Sequence, residues 1–367
     1  MSLLSTIDYA RPFAGALWFD VLPRAVVRPQ LSAQVLLHAG PPFRGGPPAP
    51  VVHAAIQALV YEGLADDARG AAELLARGQV QLQPAQDHGI VTPLAQVVSA
   101  SMPLVAVQKQ REVSYAPLVE GPPPALRFGA TAPECGERLR ALSVMAQSVL
   151  APIVRRDPIA VGELIRIGIA AQEECHARTV AANSALIERL RGLEPEFAAR
   201  LRLNPGFVLP VLMAAAAASL RASGCAIAAI GGNGVDFGVR RRAQRSWQQL
   251  PAEAPRGPFF AGQDAHVPLG AIGDSAVIDF CGLGGQALAA APGLAGEWAA
   301  WLPADALSRR AALIDPRSGI VDPESVERAA LCPLINLAVL DRDGTAGLIG
   351  RGFYCPPLSL FAGSAAH

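Results

Sequence analysis

The longest periodic stretch of the chain runs from Ile159 to Leu190. It contains no internal proline and is rich in Ala, Leu, Ile, Glu and Arg, a composition that predicts one helix of about nine turns. One face of this helix is apolar. The row of residues next to that face is apolar at both ends and polar in the middle, at Gln172, His176 and Thr179. Polar side chains that flank core positions need hydrogen-bond partners or a ligand.

Helical spacing gives the charged residues of this stretch different surroundings. Glu173 precedes His176 by three residues and lies within about 60° of it, so its carboxylate is placed to orient the imidazole. Glu174 and Arg178 form an i,i+4 pair on the far side of the helix. Two interpretations stay open: a satisfied buried histidine beside a surface ion pair, or a general acid–base pair. A single Glu-x-x-His motif does not make a dimetal helix, which needs two copies, and we predict no metal.

The remaining pattern predicts an α/β (α+β) multidomain protein in three segments. Residues 1–130 form an α/β domain, 131–230 a helical domain and 231–367 a glycine-rich α/β domain. Predicted strands are Val35–Pro42, 79–83, Leu104–Val107, 125–130, one bearing Arg240, Ala276–Cys281 and Leu334–Leu340, the last followed by a hairpin turn and a return strand. Predicted helices are Pro50–Tyr61, Ala68–Arg77, 134–151, 159–192, 194–202 and 207–223.

Several polar residues follow predicted strands, where ligands of α/β sheets collect. His38 and Ser101 are in such positions, and Asp274-Ser275 precedes the strand that leads to Gly284-Gly285. The glycines fit a loose dinucleotide fingerprint, but no second strand carries an acidic residue for a ribose, so NAD binding is disfavoured. Backbone amides ahead of a helix also suit a phosphate or carboxylate.

Composition narrows the classes of function. Apolar residues make up 51% of the 367 residues, charged ones 17%, and the net charge is zero, which indicates a globular protein and disfavours a nucleic-acid partner. Lys109 is the only lysine, so an anion would be held by arginine forks and backbone amides.

The cysteines and the apolar segments indicate where in the cell the protein is located. Six single cysteines indicate reduced thiols in a cytoplasmic protein. No signal peptide is visible, and the apolar window Phe207–Ala218 is too short to span a bilayer, so we expect a buried helix and no membrane contact.

Six ordered motifs together resemble one family. LLHAGPP, SASMP, EECHAR, NGVDFGVR, GDSAVIDFCGLGG and PLINLAVLDRDGTAGLIGRG are similar to the YlbE/AllG-like family over residues 30–352. The resemblance implies a subunit of oxamate carbamoyltransferase beside an FdrA-type subunit, which is similar to succinyl-CoA synthetase, and a third small subunit. It further implies phosphorolysis of oxalurate to oxamate and carbamoyl phosphate, or the reverse, in allantoin breakdown and purine catabolism, with no cofactor. The chain departs from the family pattern at Thr179, where the family tends to have Asn.

Given this resemblance, each candidate residue receives a role. His176 is the expected acid–base group or carbonyl polariser, oriented by Glu173. The expected anion holders and hydrogen-bond donors are Arg178, Arg240, Asn233, Asp274, Ser275, the Gly284 and Gly285 amides, His38 and Ser101. All of them are expected to meet around one small anion, either phosphate, carbamoyl phosphate or oxamate.

Two alternatives remain at this point. The chain could be a non-catalytic scaffold or regulatory subunit of an FdrA-type acyl-CoA-synthetase-like complex, with glycine motifs that shape an interface. A lone NAD(P) oxidoreductase is the weaker alternative. A homo-oligomer is compatible with each of these.

Overall fold

A computed structural model describes residues 7–362 and shows helices mixed with several sheets, the α/β fold that the pattern predicts. Within these residues the strands are β1 Leu17–Pro23, β2 Val35–His38, β3 Gln81–Pro84, β4 Pro103–Lys109, β5 Glu112–Pro117, β6 Ile159–Ala160, β7 Ile227–Asn233, β8 Asp236–Arg241, β9 Gln248–Pro251, β10 Ile272–Gly273, β11 Ile335–Leu340 and β12 Leu348–Tyr354.

The helices stand between these strands in runs of one to four. They are α1 Arg24–Val27, α2 Ala49–Tyr61, α3 Ala68–Ala76, α4 Pro133–Met145, α5 Ala151–Arg156, α6 Val161–Ala170, α7 Val180–Arg189, α8 Pro195–Arg202, α9 Leu209–Ala222, α10 Ala276–Phe280, α11 Pro292–Glu297, α12 Arg310–Leu313 and α13 Pro323–Ala329. Short 3-10 turns at Leu126–Phe128, Pro205–Val208 and Gly284–Gln286 position residues that matter below.

Four sheets organise the described chain. One has the strand order β5-β4-β1-β6, a second has the order β10-β7-β8-β9, β11 and β12 form a hairpin, and β2 pairs with β3 in parallel. Strand β6 joins the first sheet where Leu17 pairs with Ala160. The hairpin register pairs Ile335 with Tyr354. The predicted strands before residue 110 and the predicted C-terminal hairpin are therefore confirmed.

Helix α9 is the central element of the core. Its residues from Pro210 to Leu220 are buried, and it packs against β4, β5 and α10. The segment Pro205–Ala222 is long and apolar enough to cross a membrane, but 72% of it is buried inside the protein, as expected for a core helix. Its run of alanines has little side-chain volume, which allows the strands to approach closely.

The single helix predicted for Ile159–Leu190 is wrong. Helix α6 ends at Ala170, α7 begins at Val180, and Gln172 and Cys175 between them both have φ of 62°. Two consecutive glutamates in this loop accept backbone N–H groups that a helix would have used itself. The tertiary hydrogen bonds override the helical propensity of the sequence.

Two predicted strands are also wrong. Ala276–Cys281 forms helix α10, and 125–130 holds the 3-10 turn Leu126–Phe128. Every residue of α10 is buried, and a short, fully buried apolar run has no periodicity that separates a strand from a helix. The helix predicted over 134–151 is present and continues through a π-turn at Ala146–Leu150 to Arg156.

The three-domain division stays a prediction, and its outer ends, residues 1–6 and 363–367, lie outside the described residues. One apolar cluster of buried residues contains Tyr9, Leu186 and Phe361, and so draws on all three segments. A shared core of this kind couples the stability of the segments to one another.

Asp274 connects distant parts of the fold. Its buried carboxylate accepts hydrogen bonds from Gly40 N (2.8 Å), Gln86 Nε2 (2.6 Å) and Thr92 N (2.9 Å). Gly40 has φ of +74°, a conformation that favours glycine. Burial raises the pKa of Asp274 to about 7, against the opposing effect of these donors. The predicted substrate-binding role of Asp274 is therefore replaced by a structural one.

We expect Asp274→Asn to lower the free energy of unfolding by about 2–4 kcal/mol, because an amide NH₂ would face N–H donors in a buried site. Urea unfolding followed by circular dichroism measures the change. Asp66→Asn makes the same chemical change at an exposed residue and should be neutral within about 0.5 kcal/mol. Equal changes in the free energy of unfolding for the two variants would contradict the structural role of Asp274.

Candidate functional site

A buried carboxylate organises the loop between α6 and α7. Glu174 accepts hydrogen bonds from the backbone amides of His176 (3.2 Å), Ala177 and Arg178 (3.0 Å) and from Asn336 Nδ2 (3.0 Å). Its side chain is fully buried, and burial raises the pKa of Glu174 despite these donors. The predicted surface pair of Glu174 with Arg178 is wrong, because only the backbone of Arg178 contacts this carboxylate.

A second buried carboxylate, that of Asp279, fixes the imidazole of His176. Its Nδ1 lies 2.7 Å from Asp279 Oδ2, and the two side chains are 7% and 0% exposed. The other oxygen, Asp279 Oδ1, accepts from Gly285 N (2.7 Å) and Asn336 N (2.9 Å). This network leaves Nδ1 as the donor in a neutral ring and Nε2 as the reactive nitrogen.

The electrostatics of His176 favour its charged form. Burial lowers the pKa of the imidazole, but the charges of Asp279 and Glu174 outweigh burial, and the pKa of His176 is raised from its ordinary value of 6.5. Nε2 has no hydrogen-bond partner in residues 7–362. A histidine with one nitrogen fixed by a carboxylate and the other free has the arrangement of a general acid or base.

A cavity of about 370 Å³ lies in front of His176. It is lined by polar side chains from distant parts of the chain and by apolar ones between them. These include Arg127, Arg178, Asn204, Ser275, Asn336 and Arg351, together with Leu94, Phe128, Leu209, Phe260 and Leu337. The cavity is large enough for a small organic substrate and joins the loop before α7 to α10 and the β11–β12 hairpin.

The three arginines that line this cavity have different contacts within the protein. Arg178 pairs with Glu297 at a partly exposed position, and Arg351 stacks over the Phe260 ring at 5.9 Å. Arg127 is buried and has no ion pair in the described part of the chain. Together with a protonated His176, these groups favour a negatively charged ligand.

Three of the predicted site residues come together in this cavity, namely His176, Arg178 and Ser275. The predicted orientation of His176 by Glu173 is wrong. The Glu173 carboxylate accepts from Ala181 N (2.9 Å) and thereby caps the start of α7. The helical projection also placed Arg178 opposite His176, and the break in the helix removes that conflict.

Asn233 and Arg240 do not line the cavity. Asn233 Nδ2 donates to Pro41 O (2.9 Å), and its Oδ1 accepts the backbone N–H groups that follow it. Arg240 forms an ion pair with Asp87 at 3.2 Å. These contacts satisfy the Asn233 side chain, whereas the Arg240 Nε is buried without a hydrogen bond. Neither residue lines the cavity, so the expected meeting of these residues with His176 is not observed.

The amides of Gly284 and Gly285 are occupied within the protein. Gly284 N donates to Glu174 O (2.8 Å), and Gly285 N donates to Asp279. Gly284 has φ of +52°, and a Cβ atom there would overlap the Asp279 carboxylate. These glycines allow the backbone to approach Asp279, and their predicted role in phosphate binding is wrong.

His38 and Ser101 lie away from the cavity. His38 is buried and stacked on Phe43 at 4.2 Å, and burial lowers its pKa to about 4. Ser101 Oγ donates to the Glu62 carboxylate at 2.8 Å. His38 at the end of β2 and Ser101 before β4 therefore make contacts within the fold, through His38 Nδ1 to Ala39 O (2.8 Å) and Ser101 Oγ to Glu62.

Asp279, Asn336, Arg127 and Arg351 are cavity or network residues that the sequence interpretation missed. The available signal was a single charged residue inside an apolar run, as in AVIDF for Asp279 and ALRF for Arg127. Between residues 7 and 362, no group of three or more His, Cys, Asp and Glu residues is placed to hold a metal ion.

Comparisons with known proteins give a consistent set of relatives. A family model described as "Oxamate carbamoyltransferase subunit AllG" matches residues 80–275. The oxamate carbamoyltransferase subunit AllG of Escherichia coli K12 is 29% identical over 98% of this chain and 94% of its own length. The uncharacterized protein YahG of the same organism is also 29% identical, over 91% of this chain and 79% of its own length.

The fold has a counterpart among solved structures. A conserved protein of unknown function from Enterococcus faecalis V583 superposes with a TM-score of 0.82 and 25% sequence identity, over 98% of this chain and 97% of that chain.

We expect Glu174→Gln to destabilise the protein by about 2–4 kcal/mol, because the amide NH₂ replaces an oxygen that accepts buried N–H groups. Urea unfolding measures the loss, and hydrogen exchange at residues 175–178 should show local opening. Glu188→Gln, at an exposed position of α7, is the matched control. Unchanged exchange in this loop would show that the carboxylate does not hold it.

Proposed function

This chain belongs to the AllG family, as its motifs predict, and from that premise we propose that it is a subunit of a carbamoyltransferase. The proposed substrates are oxamate and oxalurate or a related small ureido acid. The reaction is carbamoyl phosphate plus oxamate in equilibrium with oxalurate plus phosphate. The family description names a subunit, so the proposal places the chain in a multi-subunit assembly.

One observation carries the proposal: the Asp279-bound His176 faces a cavity lined by arginines. In phosphorolysis, a phosphate oxygen attacks the ureido carbonyl carbon and the bond from that carbon to the oxamate nitrogen breaks. The departing nitrogen needs a proton, and protonated His176 supplies it from Nε2. In the reverse direction, neutral His176 takes the proton from the attacking nitrogen.

Other residues of the cavity complete the chemistry. Ser275 Oγ, which has no hydrogen bond to a described residue, donates to the carbamoyl oxygen where negative charge develops. Arg178 and Arg351 line the same cavity and balance the charge of phosphate. Glu174 and Asp279 position His176 and stabilise its charge. The reaction transfers no electrons, so no redox cofactor is proposed.

The partners are part of the proposal. We expect an FdrA-type subunit and a third small subunit in a cytoplasmic assembly, as the family resemblance implies. A homo-oligomer is compatible with this arrangement.

A direct assay tests the function. The chain is purified alone and co-expressed with the FdrA-type and small subunits of its own organism, and carbamoyl phosphate formed from oxalurate is measured with and without phosphate. Phosphate-dependent release by the complete assembly is expected. Inactivity of that assembly on oxalurate and on related ureido acids would exclude the proposal.

We expect His176→Gln to lower kcat by about 10²–10⁴-fold, the usual contribution of a general acid, while the near-UV circular dichroism stays native. His266→Gln, which changes a half-buried histidine away from the cavity, is the control and should retain full activity. Loss of folding in His176→Gln would instead favour a structural histidine.

The pH dependence follows from the raised pKa of His176. Its charged form, and the stability that this form contributes, is fully present below about pH 6.5 and is lost as the pH rises through the raised value. Phosphorolysis should therefore fall on the alkaline side. Asp279→Asn removes the largest stabilising charge, so the midpoint of kcat/KM against pH should move to lower pH. An unchanged midpoint would remove His176 from the proton transfer.

A groove between α4 and α8 favours the second candidate, a scaffold role within the same assembly. It has a volume of about 670 Å³ and is lined by Leu142, Met145, Phe197 and Leu203 among others. Leu203 is 76% exposed, which is unusual for a leucine in a concave surface.

Leu203→Glu tests the groove independently of the cavity. If a partner subunit occupies the groove, a charge there should reduce copurification of the co-expressed subunits by at least about tenfold, because it would have to be desolvated. Val144→Glu, at another exposed apolar side chain that does not line the groove, is the matched control. Equal recovery of the assembly with both variants would exclude the groove as the contact.

A further inference from the structure

Arg127 is a buried cation whose guanidinium makes no direct contact with a carboxylate of the described chain. It lies in the 3-10 turn Leu126–Phe128 and is 7% exposed. Within residues 7–362 its guanidinium donates no hydrogen bond and forms no ion pair, and its Nη1 is fully buried. Its one ring contact is with Phe128, 4.5 Å from the guanidinium carbon. A buried charge of this kind is strongly unfavourable unless something pairs with it.

The other two buried arginines of the described chain donate hydrogen bonds to it. Arg24 donates to the carbonyl oxygens of Leu31 and Ser32. Arg309 pairs with Asp305 and donates to Cys332 O. Arg24 also has a buried Nε without a partner, but of the three only Arg127 donates no hydrogen bond from its guanidinium to the described chain. That difference needs an explanation.

The location of Arg127 in the cavity explains why its guanidinium has no partner in the chain. Arg127 lines the same cavity as His176, and a Cβ atom placed on Gly206, another lining residue, would lie 3.7 Å from its Nη2. The carboxylate whose charge acts most on Arg127 is that of Glu120. Glu120 Oε1 instead accepts the Leu126 amide, and its Oε2 is buried without a hydrogen bond.

We infer that Arg127 binds the carboxylate of the substrate and thereby selects small carboxylates that carry an amide or ureido group at the other end. This inference rests on the proposed function and adds the residue that determines specificity. The Arg127 guanidinium presents the fork that a carboxylate accepts. Among the charged residues around it, Glu120 opposes its charge while Arg138 and Arg351 add to the positive potential, and none of them makes a hydrogen bond with it. Phosphate, with more charge, is better matched by Arg178 and Arg351 together.

The arrangement gives the substrate a direction in the cavity. Its carboxylate lies on Arg127, and its amide end lies toward His176 and Ser275. A neutral analogue leaves the Arg127 charge unpaired, so the cavity should reject it far more strongly than it rejects a small change in size.

Thermal unfolding of the purified chain with added ligands tests the inference. The probes are oxamate, its neutral amide analogue oxamide, and inorganic phosphate, all at constant ionic strength. Oxamate should raise the Tm of the unaltered chain and oxamide should not, because ligands that bind only the folded state stabilise it. Calorimetric titration supplies the dissociation constants.

Arg127→Met is the informative variant. In ligand-free buffer it should be as stable as the unaltered chain or more stable, because an unpaired buried charge has been replaced by an apolar side chain of similar length. It should bind oxamate at least about tenfold more weakly, and added inorganic phosphate should still raise its Tm as it does for the unaltered chain.

Two further variants serve as comparisons. Arg127→Lys should recover part of the oxamate binding. Arg221→Met, which removes an arginine paired with Glu112 and bonded to Ser114, should be destabilised instead.

Several outcomes would overturn the inference. They are destabilisation of Arg127→Met like that of Arg221→Met with oxamate binding intact, equal Tm shifts by oxamate and oxamide, and loss of the phosphate shift alone. The first of these would show that Arg127 is a structural partner of Glu120. The proposed function can fail without this inference failing. His176→Gln should retain oxamate binding. If the assembly shows no turnover but still binds oxamate through Arg127, the proposed function is excluded and this inference stands.

Discussion

The hydrogen bonds around the Glu174 carboxylate are the constraint on which the rest of the site depends. A fully buried carboxylate is tolerated only when its oxygens are well supplied with donors. Glu174 obtains three of them from the backbone of its own loop and one from Asn336 on β11. Meeting that requirement interrupts the helix between α6 and α7 and directs His176 toward α10. The geometry of the site is thus a consequence of satisfying one buried charge.

Asp279 extends this constraint across the fold. Its two oxygens connect His176 to Gly285 and to the start of β11, so three parts of the chain that are distant in sequence share one network. The glycines of the GLGG motif serve this network because a side chain at Gly284 would overlap the carboxylate. A motif that looks like a phosphate loop is therefore explained by close packing around an acid. Shared networks of this kind fix the orientation of a catalytic side chain better than a surface pair can.

The sequence predicts much of the fold and part of the site, and the division has physical reasons. Regular amphipathic helices such as α2 and α3 and the β11–β12 hairpin follow from local periodicity and turn residues. The sequence singles out His176 as a polar residue beside core positions, and Ser275 as a hydroxyl ahead of the segment that leads to Gly284 and Gly285. The loop before α7 was not predicted, because Glu173 and Glu174 favour a helix by propensity while their hydrogen bonds are set by tertiary structure. The role of Asn233 was also beyond prediction, since an asparagine after a strand gives the same sequence signal for a turn as for a ligand contact.

The charges of the cavity are arranged in a way that stability alone does not explain. Behind His176 lie two buried carboxylates, each with several donors. Arg127, which lines the same cavity, is buried and its guanidinium donates no hydrogen bond to the described chain. A fold selected for stability would place a methionine or leucine at that position, and natural proteins accept such local losses mainly at functional sites. A proton donor and a cation without a hydrogen-bond partner in one cavity complement a small molecule with a reactive nitrogen at one end and a negative charge at the other.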